Sequence, residues 1–158
     1  MIQTFPFRER LVGIDGVLQG LLTQPWQIWF RTVTDAINIA PQVQTSVTGT
    51  PTGASIASTA LLADTGSAGV FRVSWFLRVT QAATTSSSVA VTVAFTDGVA
   101  LTVSGAAVTG NTTSTIQQQS VIVRCDAASP LSYSTTYSSV GATPMQYALS
   151  VCVERLNG

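Results

Sequence analysis

At 158 residues the chain has room for one ordinary domain and a tail. Charged residues make up only 9% and hydrophobic ones 46%, which excludes a disordered chain, because such chains combine high charge with few apolar groups. The seven basic residues are all arginine, seven acids balance them, and histidine is absent; without a basic excess the counterion release that drives nucleic-acid binding is missing, as is the attraction to anionic lipid.

Residues 1–22 bring together Phe5, Pro6, Phe7, Arg8, Glu9 and Arg10, followed by Gly13, Gly16 and Gly20 among leucines and valines. No clean period survives those glycines. Aromatic anchors, arginines and flexible joints predict an extended arm that docks on another surface, with Phe5, Phe7, Arg8 and Arg10 as its anchor, or one that wraps on its own domain. The segment lacks the basic-then-apolar pattern of a signal peptide, and no apolar run is long enough to span a bilayer, so synthesis in the cytoplasm and no membrane insertion are expected.

A short amphipathic helix is predicted over about residues 24–38. Thr23 supplies a capping hydroxyl, Pro25 falls in the first turn where its missing donor costs nothing, and Asn38 and Pro41 end it. Trp26, Phe30, Val33 and Ile37 recur at intervals of four, three and four, a coiled-coil seam with Trp29 beside it. A helix this short is marginal alone in water. These five residues are therefore the candidate oligomer interface, and residues 1–41 read as an anchoring arm plus helix.

From residue 42 to 158 valine, threonine, serine, alanine and glycine dominate, and apolar residues alternate with polar ones at strand period. Phe71, Val73, Trp75, Leu77 and Val79 point one way and Arg72, Ser74 and Arg78 the other, with Phe76 interrupting the polar side. Val89, Val91, Val93 and Phe95 repeat the pattern, Asp97 and Gly98 supply a two-residue hairpin turn, and Val99, Leu101 and Val103 return. Further faces are Val121, Val123 and Cys125; Leu131, Tyr133, Thr135 and Tyr137; and Tyr147, Leu149, Val151 and Val153. Weaker runs at 43–49 and 54–62 bring the count to about eight strands. The fold class expected is mainly β, an antiparallel β-sandwich of the jelly-roll kind, preceded by the arm and the helix.

No catalytic constellation is visible. Without histidine there is no Ser-His-Asp or Cys-His arrangement and the commonest metal ligand is missing. Asp64, Asp97, Asp126 and Glu154 are isolated in sequence; there is no phosphate-cradling loop and no calcium loop. No catalytic residue, cofactor or metal is expected. Cys125 and Cys152 read as small buried residues of a reducing compartment in preference to a disulfide. Arg72, Arg78, Arg124 and Arg155 match the four acids in number, which fits ion pairs at subunit contacts or solvated outer-face residues equally. So few charges leave a free monomer with little to keep it soluble, so faces covered by sister chains are expected. A surface wetted by serine and threonine, about a quarter of the residues, is the alternative.

The PWQIWF helix, followed by FRVSWFLRVTQAATTSSSVAVTVAFTDG, ALTVSGAAVTGNTTSTIQQQSVIVR and YSTTYSSVGATPMQYALSVCVERL, resembles the small structural, fibre or head-fibre-type virion proteins of tailed bacteriophages. The resemblance covers the chain from about Pro25 onward. It implies a jelly roll similar to the tumour necrosis factor type that assembles as a homotrimer, with the leading helices bundled about the threefold axis and other virion proteins held through residues 1–22. The function expected is thus a trimeric fibre or decoration component of the virion, made in the host cytoplasm. The alternative is a host-attachment module whose loops Ala82 to Ser88 and Gly105 to Thr115 touch a surface glycan or receptor. A third reading, a virion-borne polysaccharide hydrolase, requires a carboxylate pair that no spacing suggests.

Overall fold

The computed structural model describes Trp29, Thr32 and residues 41–157. The chain divides into two units between Ile37 and Asn38, and the β region lies in the second.

Strand alternation organises that region. In Gly69–Gln81 the side chains of Phe71, Val73, Trp75, Leu77 and Val79 are at most 3% exposed, whereas Phe76 and Arg78 on the opposite side are open to solvent. A period of two places one apolar set on one face of a pleated strand, and the β-branched and aromatic side chains fit that half-buried surface. The same logic yields eight strands: β1 (Gln42–Thr48), β2 (Thr59–Leu62), β3 (Gly69–Gln81), β4 (Ser86–Asp97), β5 (Val99–Ser104), β6 (Ile116–Cys125), β7 (Leu131–Val140) and β8 (Gln146–Asn157). They form two four-stranded sheets, one in the order β1-β8-β3-β6 and the other in the order β2-β7-β4-β5. Every pairing is antiparallel. The domain is a β-sandwich.

Between the sheets lies a single apolar core. The first sheet contributes the β3 set with Val123, Cys125, Tyr147, Leu149, Val151 and Val153; the second contributes Leu61, Val89, Val91, Val93, Leu131 and Tyr133. Fully burying a valine, leucine or phenylalanine side chain is worth about 1.5–3 kcal/mol, and this layer supplies the driving force that the sparse charges do not.

The β4–β5 hairpin is tighter than the two-residue turn predicted. Asp97 pairs with Val99, leaving Gly98 alone at the tip with φ of 71°, a left-handed conformation that favours glycine. Its N–H donates to the Asp126 carboxylate at 2.7 Å. The predicted apolar side of β5 exists, but β5 is an edge strand. Val99 and Leu101 therefore stay 63% and 40% exposed.

At the other end of the sandwich, a buried chain of hydrogen bonds ties the segment before β2 to the core. The Ile56 N–H donates to Thr135 Oγ1 (2.7 Å), Thr135 and Tyr147 share a hydroxyl–hydroxyl bond (2.6 Å), and Tyr147 donates to the Ala54 carbonyl (2.9 Å). Beside it, Tyr137 stacks on Tyr147 at 5.9 Å and donates to the Met145 carbonyl at 2.6 Å.

Candidate interaction surface

The two sheets present outer faces of different chemistry. On the second sheet, the registers place Ser132, Ser134, Thr136 and Ser138 of β7 beside Ala94, Thr92, Ala90 and Ser88 of β4. The row continues onto Thr102 and Ser104 of β5. Apart from Val140 at the end of β7, this face carries hydroxyls and methyls only. Threonine and serine on strands keep a sheet face wet without charge, so solvation here needs no ionic group.

Beyond the Val70–Arg124 pair at one end, the outer face of the first sheet is built in four rows across β1, β8, β3 and β6. Val43, Glu154, Arg72 and Ile122 form the first; Ser46, Cys152, Ser74 and Ser120 the second; Thr48, Ser150, Phe76 and Gln118 the third; Ala148, Arg78 and Ile116 the last. A register shift between Val43 and Thr45 turns Val43 out to this face, against the alternation of its own strand. Val43, Phe76, Ile116 and Ile122 are 62%, 40%, 56% and 67% exposed, an uncommon load of large apolar groups for one solvent-facing sheet. The small side chains of the second row leave a shallow furrow of about 530 Å³, with Phe76 and Gln118 on its flank.

The electrostatics of this face are nearly self-contained. Arg72 donates from Nε to Glu154 Oε2 at 2.6 Å, and the guanidinium makes a second contact to the same oxygen. The Glu154 hydrogen bond, then its charge, hold the Arg72 guanidinium above its ordinary range. Arg78 has no ionic partner among the described residues. At one end of this face, Arg124 pairs with Asp97 at 3.4 Å. Arg155 turns inward over the Phe71 ring at 5.4 Å and donates to the carbonyls of Thr65, Ser67 and Ala68. Among the described residues, Arg72 and Arg124 thus form ion pairs within the chain and Arg155 clamps a loop.

The cysteines lie on opposite faces of the first sheet. Cys125 is fully buried, and burial, followed by the charges of Asp97 and Asp126, pushes its thiol up. Cys152 faces outward in the furrow and is half-buried. Both are free thiols, and the expectation that both are buried holds for Cys125 alone.

The loops at 82–88 and 105–115 are joined. Ala83 N–H donates to the Gly110 carbonyl, Gly110 N–H to Ser87 Oγ, and the Asn111 amide to the Thr85 carbonyl, at 2.9, 2.8 and 3.2 Å. They form one hydroxyl-rich surface at an end of the sandwich.

Of the interface residues read from the sequence, Trp29 is helical and half-buried. Trp26, Phe30, Val33 and Ile37 lie outside the described residues, as do the anchor residues Phe5, Phe7, Arg8 and Arg10. Sequence reasoning missed the four-row face as a unit. Its one visible signal was Phe76, the apolar residue on the polar side of β3. Among known proteins, no family model and no curated sequence matches the chain.

Proposed function

We propose that this chain is a structural subunit of a tailed bacteriophage particle, a fibre or decoration protein that assembles as a homotrimer and is anchored by residues 1–22. The observation that carries the reading is the strand order. Two sheets ordered 1-8-3-6 and 2-7-4-5 support reading the sandwich as a jelly roll, an architecture recurrent in viral capsid and lectin domains. The contrast between the outer faces supports self-association: one is covered with hydroxyls, the other carries four exposed large apolar side chains around a paired charge. Exposed apolar patches of that kind mark interaction sites. Fold likeness alone does not assign a task, so the strand order is joined in support of the virion role by this face and the sequence resemblance.

The joined loops 82–88 and 105–115 favour a second reading, a host-attachment module that presents this hydroxyl-rich end to a surface glycan or receptor. One pair of measurements separates the two. The full chain is expected to sediment as a trimer, and deletion of residues 1–22 is expected to abolish its incorporation into virions while leaving the β domain folded. A monomeric full chain would refute the self-associating subunit; normal incorporation without the arm, together with purified protein that blocks adsorption, would favour attachment.

A further inference from the structure

We infer that Asp97–Gly98, at the β4–β5 turn, is a latent self-modification site and that Asp126 and Arg124 hold it closed. The chemistry is cyclisation of the aspartyl side chain onto the next peptide nitrogen. It is independent of the assembly role proposed above.

Aspartate followed by glycine is especially open to this reaction, because glycine has no Cβ to shield its nitrogen and leaves the backbone free to turn. The Gly98 nitrogen attacks Asp97 Cγ, the new C–N bond closes a five-membered imide, and the amide proton departs with the carboxyl hydroxyl as water. Water then reopens the ring at either carbonyl. One opening restores aspartate; the other gives isoaspartate, with an extra methylene in the main chain and no change of mass.

The turn sets both reactants side by side and engages each of them. Asp97 is paired with Val99, so its backbone is extended, and ring closure has to turn the following peptide plane out of that conformation. The attacking nitrogen is committed, since Gly98 N–H donates to Asp126 Oδ2 at 2.7 Å, a charge-assisted bond of the stronger kind. The carboxyl under attack is committed as well, to Arg124 at 3.4 Å. Asp126 is in turn fixed by its own backbone. Its N–H donates to the Thr96 carbonyl at 2.8 Å, and its carbonyl accepts the hydroxyls of Thr65 and Ser129 at 2.7 and 2.8 Å. A carboxylate placed from so fixed a backbone resists rotation of the turn. Isoaspartate at this point would lengthen the chain between the paired residues Thr96 and Ala100 and break the register of the β5 edge strand.

The chain carries its own reference. Asp15–Gly16 is followed by valine just as Asp97–Gly98 is, and it lies outside the described residues. In concentrated urea the two should form isoaspartate at similar rates. In the native full-length protein Asp97 is expected to react more slowly than in urea by about tenfold or more, the factor that one charge-assisted hydrogen bond supplies. Folded Asp126→Ala should lose most of that protection at Asp97 and leave Asp15 unchanged. Asp126→Asn, which keeps an acceptor oxygen, should stay near the wild type. Peptide mapping after cleavage at arginine reads both positions, and circular dichroism with cooperative melting identifies the variants that keep the fold. Gly110→Ala, a crowding change in a loop beyond β5, should leave the Asp97 rate as it is; acceleration equal to that of Asp126→Ala would assign the effect to global opening and overturn the clamp. A folded Asp126→Ala that reacts no faster than the wild type overturns it too, and a slower one would make Asp126 a base that promotes the reaction. Should Asp126→Ala not fold, Arg124→Gln, at an exposed side chain, carries the same expectation and the same refutation.

Discussion

Gly110 has no room for a side chain. A Cβ there would land on the Met145 thioether and crowd Ser87 Oγ, while the backbone N–H and carbonyl are both committed, to Ser87 and Ala83. Gly110→Ala is expected to cost about 2–3 kcal/mol through overpacking, read as a lower urea midpoint with unchanged slope; a loss below about 0.5 kcal/mol would mean that Met145 moves aside freely. In the sequence Gly110 is one loop glycine among several, because its neighbour Met145 is distant along the chain. Arg72 and Glu154 teach the same lesson, being 82 residues apart. The count of four arginines against four acids was legible, but which of them meet within one chain was decided by strand register.

At the scale of elements, alternation was enough to place the inner faces of β3, β4, β6, β7 and β8, since apolar residues at period two must share a side. It could not tell an edge strand from a central one. Val99 and Leu101 alternate as faithfully as Val89 and Val91, yet only the latter lie where the opposite sheet covers them. Nor could it foresee the β1 bulge that turns Val43 outward. The lead helix expected from the sequence raises a related question, because a seam of Trp26, Phe30, Val33 and Ile37 has the same spacing whether it packs on sister helices or elsewhere. Replacing Trp26 and Phe30 together by alanine is expected to lower the oligomer mass in sedimentation while the β-sheet circular dichroism stays intact. An unchanged mass would remove the seam from the assembly and leave the sheet face as its basis.

For the whole molecule, the hydroxyl chain through Thr135 and Tyr147 links the segment before β2 to β7 and β8, and so to both sheets. Tyr147→Phe should cost about 1–2 kcal/mol, since the Ala54 carbonyl and the Thr135 hydroxyl lose a buried partner. Burial holds the Tyr147 phenol above its ordinary 10.0 and the Cys125 thiol above its ordinary 9.0. Both groups keep their protons in the folded state at pH values where the unfolded chain has lost them. Their contribution is therefore complete below about pH 9 and declines as pH rises through 9 to 10 and beyond. Urea midpoints measured from about pH 8 to 11 should fall, and Tyr147→Phe should flatten the upper part of that fall. An equal alkaline slope in the variant would show that Tyr147 does not carry it.

By itself the sequence determined the β character, about eight strands, the inward side of most of them and the poverty of charge, because these depend on local alternation and composition. The tertiary structure alone decided the pairing order of the strands and the gathering of Val43, Phe76, Ile116 and Ile122 into one surface. Each of these needs residues from strands far apart in the chain to be set side by side, and that placement is fixed by inter-strand register and by which strands end at an edge.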